Sequence, residues 1–307
     1  MSGFGTPRSG RGDRGAGGFL SRGFGARWSG RGEGRGFGEH RAGVVGAAIL
    51  GAAALVAVIA PLLISADALD VTRVTAAPWQ SPSGEFWLGT DHTGRSVALL
   101  MAQGAGTSLF VGLTAAVLAV SIGTLVGILS GHFGGLTAGA LLRVTDFFLV
   151  LPALVLAIAL STVLPRGLGT IVLAIGLTSW PSTARMVRAQ TLTIEARPFV
   201  ERARALGGGH GHVIGRHVLP SVVPLVLVNA TLAVASAIVA ESTLAFLGLG
   251  DPTRISWGAM LHQAQLHGAV PQRAWWFLLP PGVAIVVVVL AFTLVGRALE
   301  AVVTPKR

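Results

Sequence analysis

Few side chains in this chain of 307 residues could carry out chemistry, and none of them form a recognised catalytic pattern. The chain has no cysteine, which excludes thiol nucleophiles, disulfides and zinc–thiolate or iron–sulfur sites. Its only lysine is Lys306, followed by Arg307, so the Gly-Lys-Ser/Thr sequence of a phosphate-binding P-loop is absent. No histidine and carboxylate residues have metalloprotease spacing. The sequence therefore predicts a protein that is not an enzyme, with no catalytic residues, cofactor or metal.

Three ionisable residues still raise specific alternatives. His210 and His212 lie on either side of Gly211. Neighbouring histidines can bind a metal ion, but these two stand among arginines, which favours no metal site. Glu241 lies within an otherwise apolar run. An ionisable group in lipid is costly and usually faces the bundle interior or a cavity. Glu241 is thus either a candidate residue of a translocation path or a partnered structural group near the outer membrane surface.

The composition indicates which solvent surrounds these residues. Hydrophobic residues make up 52% of the chain and charged residues only 12%, against about 25% in ordinary soluble domains. Six runs are apolar over lengths close to the roughly 20 residues that cross a bilayer as a helix. They cover residues 43–65, 109–131, 147–164, 170–184, 218–249 and 275–295. The sequence predicts an all-α membrane protein with six transmembrane helices in residues 42–307.

The distribution of basic residues predicts the orientation. With the N-terminus in the cytoplasm, 18 of the 23 Lys and Arg residues lie inside and 5 outside. Cytoplasmic loops carry such an excess, so we expect both termini inside. Residues 1–41 are rich in Gly and Arg, with Ser-Gly-Arg-Gly at 9–12 and 29–32. Such a segment cannot bury enough apolar surface to offset its ordering entropy. We expect a disordered cytoplasmic tail that helps to set topology, rather than an arm that binds nucleic acid.

One predicted cytoplasmic connection, residues 185–217, is far longer than ordinary helix–helix connections. Residues 194–206 are rich in helix-forming Ala, Arg and Glu. Gly207-Gly208-Gly209 follows, and glycine permits the positive φ of a sharp turn. A second basic segment then leads to Leu219-Pro220, with proline tolerated in the first turn of the next helix. We therefore expect a helix, a break and a second helix.

The stretch FVERARALGGGHGHVIGRHVLP at 199–220 resembles the cytoplasmic signature of ABC importer permeases. Arg202 replaces an alanine of that signature. The resemblance implies that this loop contains a coupling helix that docks into a groove of a separate ATPase subunit. The signature positions are occupied by Glu201, Ala203, Gly207, Leu219 and Pro220.

Four further blocks resemble the dipeptide, oligopeptide and nickel permeases of this class: WLGTDHTGRSV at 87–97, IGTLVGILSGHFGG at 122–135, RVTDFFLVLPALVLAI at 143–158 and ESTLAFLGLG at 241–250. Ser96 stands where the family usually has Asp. The resemblance implies a type I transmembrane-domain fold in a bacterial or archaeal cell membrane. It also implies four kinds of partner, which are a second homologous permease, two cytoplasmic ATPases, an extracytoplasmic solute-binding protein and lipid. The cargo would be peptides or related small solutes, with nickel complexes included.

Three local expectations follow from residue spacing. Asp91 and Arg95 could pair on a short helix, and Asp146 could pair with Arg143 three residues before it. A stripe of small residues spaced by four is suited to close helix packing, either within the subunit or against a partner subunit, and it consists of Gly123, Gly127 and Gly131.

Two other functions compete with an importer subunit. A secondary transporter or channel would work without ATPase partners, but it needs charged or broken helices at mid-membrane, and only Glu241 comes close. It would also leave the 185–217 loop unexplained. A membrane-embedded enzyme lacks a catalytic cluster.

Overall fold

The structure is a computed structural model that describes residues 41–303, apart from the side chains at positions 66 and 67. The expected disorder of the tail at 1–41 concerns residues that, except for Arg41, lie outside the described part. The regular secondary structure of the described residues is helical, apart from one isolated β-bridge between Thr90 and Ser96. Its helices are α1 (Arg41–Leu63), α2 (Val97–His132), α3 (Gly135–Val150), α4 (Ala153–Val163), α5 (Leu168–Glu195), α6 (Pro198–Ala205), α7 (His210–Val213), α8 (Leu219–Phe246), α9 (Trp257–Leu266) and α10 (Trp275–Val303).

Length and composition identify four or five membrane spans among the described residues. Four helical segments are long and apolar enough to cross a bilayer: Arg41–Leu63, Val97–His132, His210–Phe246 and Trp275–Val303. The bent pair α3 and α4 makes a fifth if it is counted as one span. Helix α5 is outside this set, since its second half carries Arg185 and Arg188. The expectation of an all-α membrane protein is confirmed.

The predicted span at 147–164 is not a single straight helix. Helix α3 ends at Val150, α4 begins at Ala153, and the two axes are bent by 88°. Pro152 causes the break, because a proline has no N–H to donate and pushes the preceding residue out of the helical region. Leu151 accordingly has an extended backbone, with φ −79° and ψ 130°.

Helix α2 packs most extensively against α5 and also contacts α8, while α1 packs against α10. The glycine stripe lies in the α2–α5 contact, so the close helix packing that its spacing predicted is made within the subunit. A Cβ on Gly123 would lie 2.6 Å from the Cβ of a facing threonine, and a Cβ on Gly127 or Gly131 would lie 2.7 Å from a facing Cβ. The facing residues on α5 are Thr183, Val187 and Thr191. The two helices approach closely because these positions lack side chains.

Residues 64–96 connect α1 to α2 at the end of the bundle where α2 begins. Within this segment Asp91 is fully buried, and its Oδ2 lies 2.8 Å from the Arg95 guanidinium. The expected Asp91–Arg95 pair therefore forms, but on a tight turn and not on a short helix. The turn is closed by the Asp91 N–H, which donates to the Arg95 carbonyl at 2.9 Å, and it passes through Gly94 at φ +89°.

Candidate coupling site

The segment between α5 and α7 forms a short helix, α6, whose termini suit its sequence. Pro198 occupies the first turn, where a helix has no use for the missing N–H. Glu201 also lies in the first turn, and Arg202 and Arg204 lie in the last. These charges complement the positive N-terminus and negative C-terminus of the helix dipole. The predicted loop at 185–217 is shorter than expected, because residues 185–195 continue α5.

Gly207 ends α6 in a Schellman motif. Its φ is +87°, its N–H donates to the Arg204 carbonyl at 2.9 Å, and the Gly208 N–H donates to the Ala203 carbonyl at 2.9 Å. A Cβ at Gly207 would meet no atom within 4 Å. The requirement for glycine is therefore conformational, since residues with a side chain rarely adopt this φ. The structure confirms the predicted glycine break.

Helix α6 is anchored on one side and presented on the other. Val200 is fully buried in an apolar cluster with residues of α2, α5 and α8, among them Ile128, Val187 and Val222. The opposite face is exposed, including Glu201 and Arg202. Two large apolar side chains are exposed with it, Phe199 at 44% and Leu206 at 89%. An exposed apolar side chain next to charges at the end of a membrane bundle is suited to contact with another protein.

The five signature positions do not form one cluster. Glu201, Ala203 and Gly207 lie together on α6 and its cap, whereas Leu219 and Pro220 begin α8. A π-helical turn, Ile214–Val218, separates α7 from α8. Such a turn accommodates the proline ring, which would clash with a carbonyl of the preceding turn in a regular α-helix. Leu219 and Pro220 are exposed on the first turn of α8.

A hydrogen-bond network fastens α6 to the ends of its neighbours. The Glu195 carboxylate, at the end of α5, binds His132 Nδ1 through Oε1 and Arg204 Nη2 through Oε2. His132, the last residue of α2, also pairs its Nε2 with His210 Nδ1 of α7 at 2.9 Å. The His132 side chain is fully buried and the Glu195 side chain is 11% exposed. We call these four residues the Glu195 network.

Sequence reasoning did not identify His132 or Glu195. They lie 63 residues apart, and no periodicity links the ends of two helices so distant in sequence. The one available signal was weak, namely that His132 lies inside the 122–135 block. His210, by contrast, is one of the two neighbouring histidines whose spacing raises the alternative of a metal site. In the structure its Nδ1 faces His132, whose two ring nitrogens are both engaged, and residues 41–303 contain no arrangement of three or more His or acidic side chains suited to a metal ion.

Glu241 lies far from this site, near the end of α8. Its side chain is 1% exposed, and its Oε2 accepts hydrogen bonds from Ser108 at 3.3 Å and Ser242 at 3.2 Å. The Ser108 hydroxyl in turn accepts from the Trp257 N–H at 3.1 Å. Glu241 thereby joins α8 to α2 and to the start of α9.

A small, partly open cavity of about 130 Å³ lies between α2, α5 and α8, and Glu241 is not among its lining residues. Alanines of α2 form one wall, while hydroxyl and amide groups of α5 and α8 form the other. Asn229 Nδ2 donates to Thr183 Oγ1 at 2.9 Å beside it. The polar lining residues are Ser179, Ser182, Thr183, Asn229 and Ser236.

The predicted pair of Asp146 with Arg143 is wrong. Asp146 accepts from Arg185 Nη2 on α5 at 2.9 Å, and not from Arg143. Both side chains are more than half exposed, so this pair contributes little to stability.

Membrane-length apolar helices, packed closely and carrying a short exposed helix at one end, define a multi-pass membrane protein. Comparison with known protein families identifies the family to which the chain belongs. Residues 123–307 match the family described as binding-protein-dependent transport system inner membrane component. The chain belongs to this family, and it is a permease subunit of an ABC importer, as the sequence blocks predicted.

Individual relatives are similar over nearly the whole length. A Brucella suis protein whose name describes a peptide permease is 36% identical over 270 residues, covering 87% of this chain and 88% of the relative. The oligopeptide transport system permease protein OppC of Bacillus subtilis is 34% identical over 271 residues, covering 88% and 87%. A peptide transport system permease protein of Brucella abortus is 35% identical over 269 residues.

Proposed function

We propose that this chain forms half of the membrane path of an ATP-driven peptide importer, together with a second homologous permease. Two cytoplasmic ATPases supply the energy, and an extracytoplasmic solute-binding protein delivers the cargo. Membership of the importer family and the peptide-related names of its relatives support the cargo class. The observation that carries the ATPase contact is α6, an exposed eight-residue helix with a buried anchor at Val200 and a fixed C-terminal cap.

We propose six spans, with the bent pair α3–α4 as the third and α5 as the fourth. Hydrogen bonds between ends support this count. His132, Glu195 and His210 meet at one end, which requires α2 and α5 to finish on the side where α7 starts. At the other end the Leu168 N–H donates to Asp251 Oδ2 at 3.1 Å, so α5 starts where α8 has finished. Helices α2 and α5 thus run in one direction and α8 runs in the opposite direction, as the second, fourth and fifth of six alternating spans would.

The distribution of charge supports a cytoplasmic position for α6. The end of the bundle that carries α6 holds more arginines than the opposite end, in agreement with the positive-inside rule. Those near α6 are Arg185, Arg188, Arg197, Arg202, Arg204 and Arg216, and those at the opposite end are Arg73, Arg95, Arg166, Arg254 and Arg273.

The length of α2 also supports this position. Helix α2, with 36 residues, is about 54 Å long at about 1.5 Å per residue. It exceeds the roughly 30 Å hydrocarbon core, so α6 has room to lie in water beside a soluble subunit.

The proposed mechanism is alternating access. Closure of the ATPase pair on ATP moves the two α6 helices, one in each permease, and the permease pair switches between outward and inward openings. The chain's own contribution is mechanical: it presents α6 and connects it to α2, α5 and α8. We propose that the polar cavity beside Asn229 lies on the path. Glu241 serves the same path either by fixing its wall through the serines or by direct contact with cargo.

Substitution of Gly207 tests the ATPase contact. We expect Gly207→Val to abolish peptide transport while leaving membrane insertion intact, because valine resists the φ of +87° and the cap of α6 is lost. Gly209→Val is the matched control, since Gly209 has φ −73° and ψ 171° and a Cβ there meets nothing within 4 Å. Uptake of a labelled peptide by right-side-out vesicles that contain ATP measures the effect. Normal uptake by the Gly207 variant would refute a role for α6.

Co-purification tests the assembly. The tagged chain, extracted from its native membrane in mild detergent, is expected to bring down two ATPases and a second permease. Peptides and nickel complexes are then screened for binding to the solute-binding protein. Recovery of the folded chain alone would favour a secondary transporter or channel that works without ATPases.

A further inference from the structure

We infer that Glu195 is a positioning residue for coupling, which holds α6 in a fixed orientation on the end of α2 through the Glu195 network. The inference rests on the proposed function in one respect only, namely that α6 is the element the ATPase moves. Its structural half is independent of any partner: a single carboxylate joins the ends of α2 and α5 to α6.

The two oxygens of Glu195 face two different donors. Oε1 faces His132 Nδ1, and Oε2 faces Arg204 Nη2. A carboxylate accepts at both oxygens, whereas a glutamine side chain accepts at one position and presents N–H donors at the other. Glutamine therefore places a donor against a donor at one of the two contacts. Aspartate keeps the charge but is one methylene shorter, so it cannot reach both partners from the same backbone position.

The network also defines the hydrogen-bonding state of the two histidines. His132 Nδ1 must carry a proton in order to donate to Glu195, since a carboxylate only accepts. In neutral His132 the Nε2 then accepts from His210 Nδ1, and no other tautomer satisfies both contacts. The end of α2 is thereby connected to α6 through Glu195 and to α7 directly. The two helices on either side of the 196–209 connection, α5 and α7, each contribute one residue to the network.

The position of the network explains how movement of α6 would reach the membrane. It lies at the end of the α2–α5 contact, where Gly131 faces Thr191 and Gly127 faces Val187 at close range. Two helices packed this closely move as a unit, because such interfaces shift between discrete arrangements and do not deform gradually. Val200 alone connects α6 to the apolar cluster. A network that fixes the angle of α6 therefore converts its movement into movement of α2 and α5.

A merely stabilising role for Glu195 predicts a different outcome from a positioning role, and spin labels separate the two. The chain has no cysteine, so labels attach only at engineered positions once the partner subunits are made cysteine-free. The exposed sites Ala205 on α6 and Leu136 on α3 are changed to cysteine in the full importer complex. The distance distribution between the labels is measured by double electron–electron resonance, with and without Glu195→Gln.

We expect a narrow distribution in the parent and a broad one in the Glu195→Gln variant. Peptide transport per ATP hydrolysed is expected to fall about tenfold, within the usual range of coupling free energies between sites, while ATP hydrolysis itself persists. Asp146→Asn is the control. It also removes a carboxylate bonded to an arginine at this end, but both groups are largely exposed, and it should change neither readout.

An unchanged distribution together with unchanged transport per ATP would overturn the inference. If Glu195→Gln does not assemble, Arg204→Gln provides the same test, since the Arg204 side chain is 46% exposed and is more easily replaced. A broadened distribution in a chain that recruits no ATPase would leave the positioning contact standing and refute only the proposed function. A broadened distribution with transport per ATP intact would show that Glu195 does not act in coupling.

Discussion

Gly127 of α2 faces Val187 of α5 so closely that a Cβ on the glycine would lie 2.7 Å from the valine Cβ and 2.7 Å from the Ala184 carbonyl oxygen. One neighbour is the Ala184 backbone and the other is the fully buried Val187 side chain, and neither can move aside without a cost in packing. Without a hydrophobic driving force between helices in lipid, close packing of this kind is a main source of helix association. The contact therefore stabilises the pair of helices that ends in the Glu195 network.

Gly127→Ala should destabilise the protein by about 1 to 3 kcal/mol, the usual cost of forcing extra atoms into a packed interface. Gly139→Ala is the matched control on α3, where a Cβ meets nothing within 4 Å. Alanine there should be neutral or slightly stabilising, because helix interiors favour it over glycine. Thermal unfolding of the purified chain in detergent, followed by circular dichroism, measures both. Equal melting temperatures for the two variants would contradict the close α2–α5 contact.

The Asp251 carboxylate provides a second local test, at the opposite end of the bundle. It accepts from the Thr253 hydroxyl and N–H and from the Leu168 N–H at the start of α5. Hydrogen bonds from Thr253 lower the pKa of Asp251 below its ordinary value, against a smaller opposing effect of burial. Its stabilising contribution is therefore present at neutral pH and is lost as the pH falls through its lowered pKa.

Asp251→Ala should cost about 1 kcal/mol, as the loss of a helix cap does, and Asp251→Asn should cost less because its single oxygen can still accept from the Leu168 N–H. Hydrogen exchange at the first turn of α5 reports the change. The alanine variant should exchange faster there than the asparagine variant, while α10 should be unaffected. Protection of α5 that is the same in the parent and the alanine variant would rule out this cap.

The sequence was sufficient for features that depend on neighbouring residues. The glycine run at 207–209 predicts the turn, and a spacing of four along one helix predicts a close helix contact, although not that α5 is the partner. It was insufficient where the partner is distant. Asp146 pairs with Arg185, 39 residues away, although Arg143 is only one helical turn off, because α3 packs against α5. Pro152 marks a kink or the start of a span, but the 88° size of the bend at Leu151-Pro152 could not be predicted, for a different reason. Hydropathy continues unbroken through the proline, so an apolar run gives no measure of direction.

Glu241 gives a prediction that separates a structural group from a cargo contact. Its Oε2 accepts from both Ser108 and Ser242 inside the protein, and the oxygen of a glutamine side chain can accept the same two bonds. We expect Glu241→Gln to retain transport, whereas Glu241→Ala should leave the two serine hydroxyl hydrogens without this acceptor and lower the melting temperature. Removal of one partner from a buried hydrogen bond typically costs about 1 to 3 kcal/mol. Peptide uptake and thermal unfolding of both variants are the measurements. Loss of uptake by a stable glutamine variant would instead place the Glu241 charge on the path.

The stacked rings of His92 and His267 predict a pH dependence. Their centroids are 3.6 Å apart with an angle of 11° between the planes, and His92 also lies beside Asp91 and Arg95. Burial lowers the pKa of His92 below its ordinary value of 6.5; Asp91 opposes this effect, and His267 and Arg95 add to it. As the pH falls through 6.5, the unfolded chain takes up a proton at this residue before the folded chain does. The stability of the 64–96 segment should therefore decrease on acidification.

Limited proteolysis within residues 64–96 measures this effect, with cleavage rates compared at about pH 7.5 and about pH 5.5, on either side of the ordinary histidine pKa. Cleavage should be faster at the lower pH in the parent. His92→Gln should remove most of the difference in cleavage rate, since glutamine does not titrate. His212→Gln replaces an exposed histidine on α7 and should leave the difference in place. A pH difference that survives His92→Gln would assign the effect to another group, with His267 the next to replace because it carries the other half of the stack.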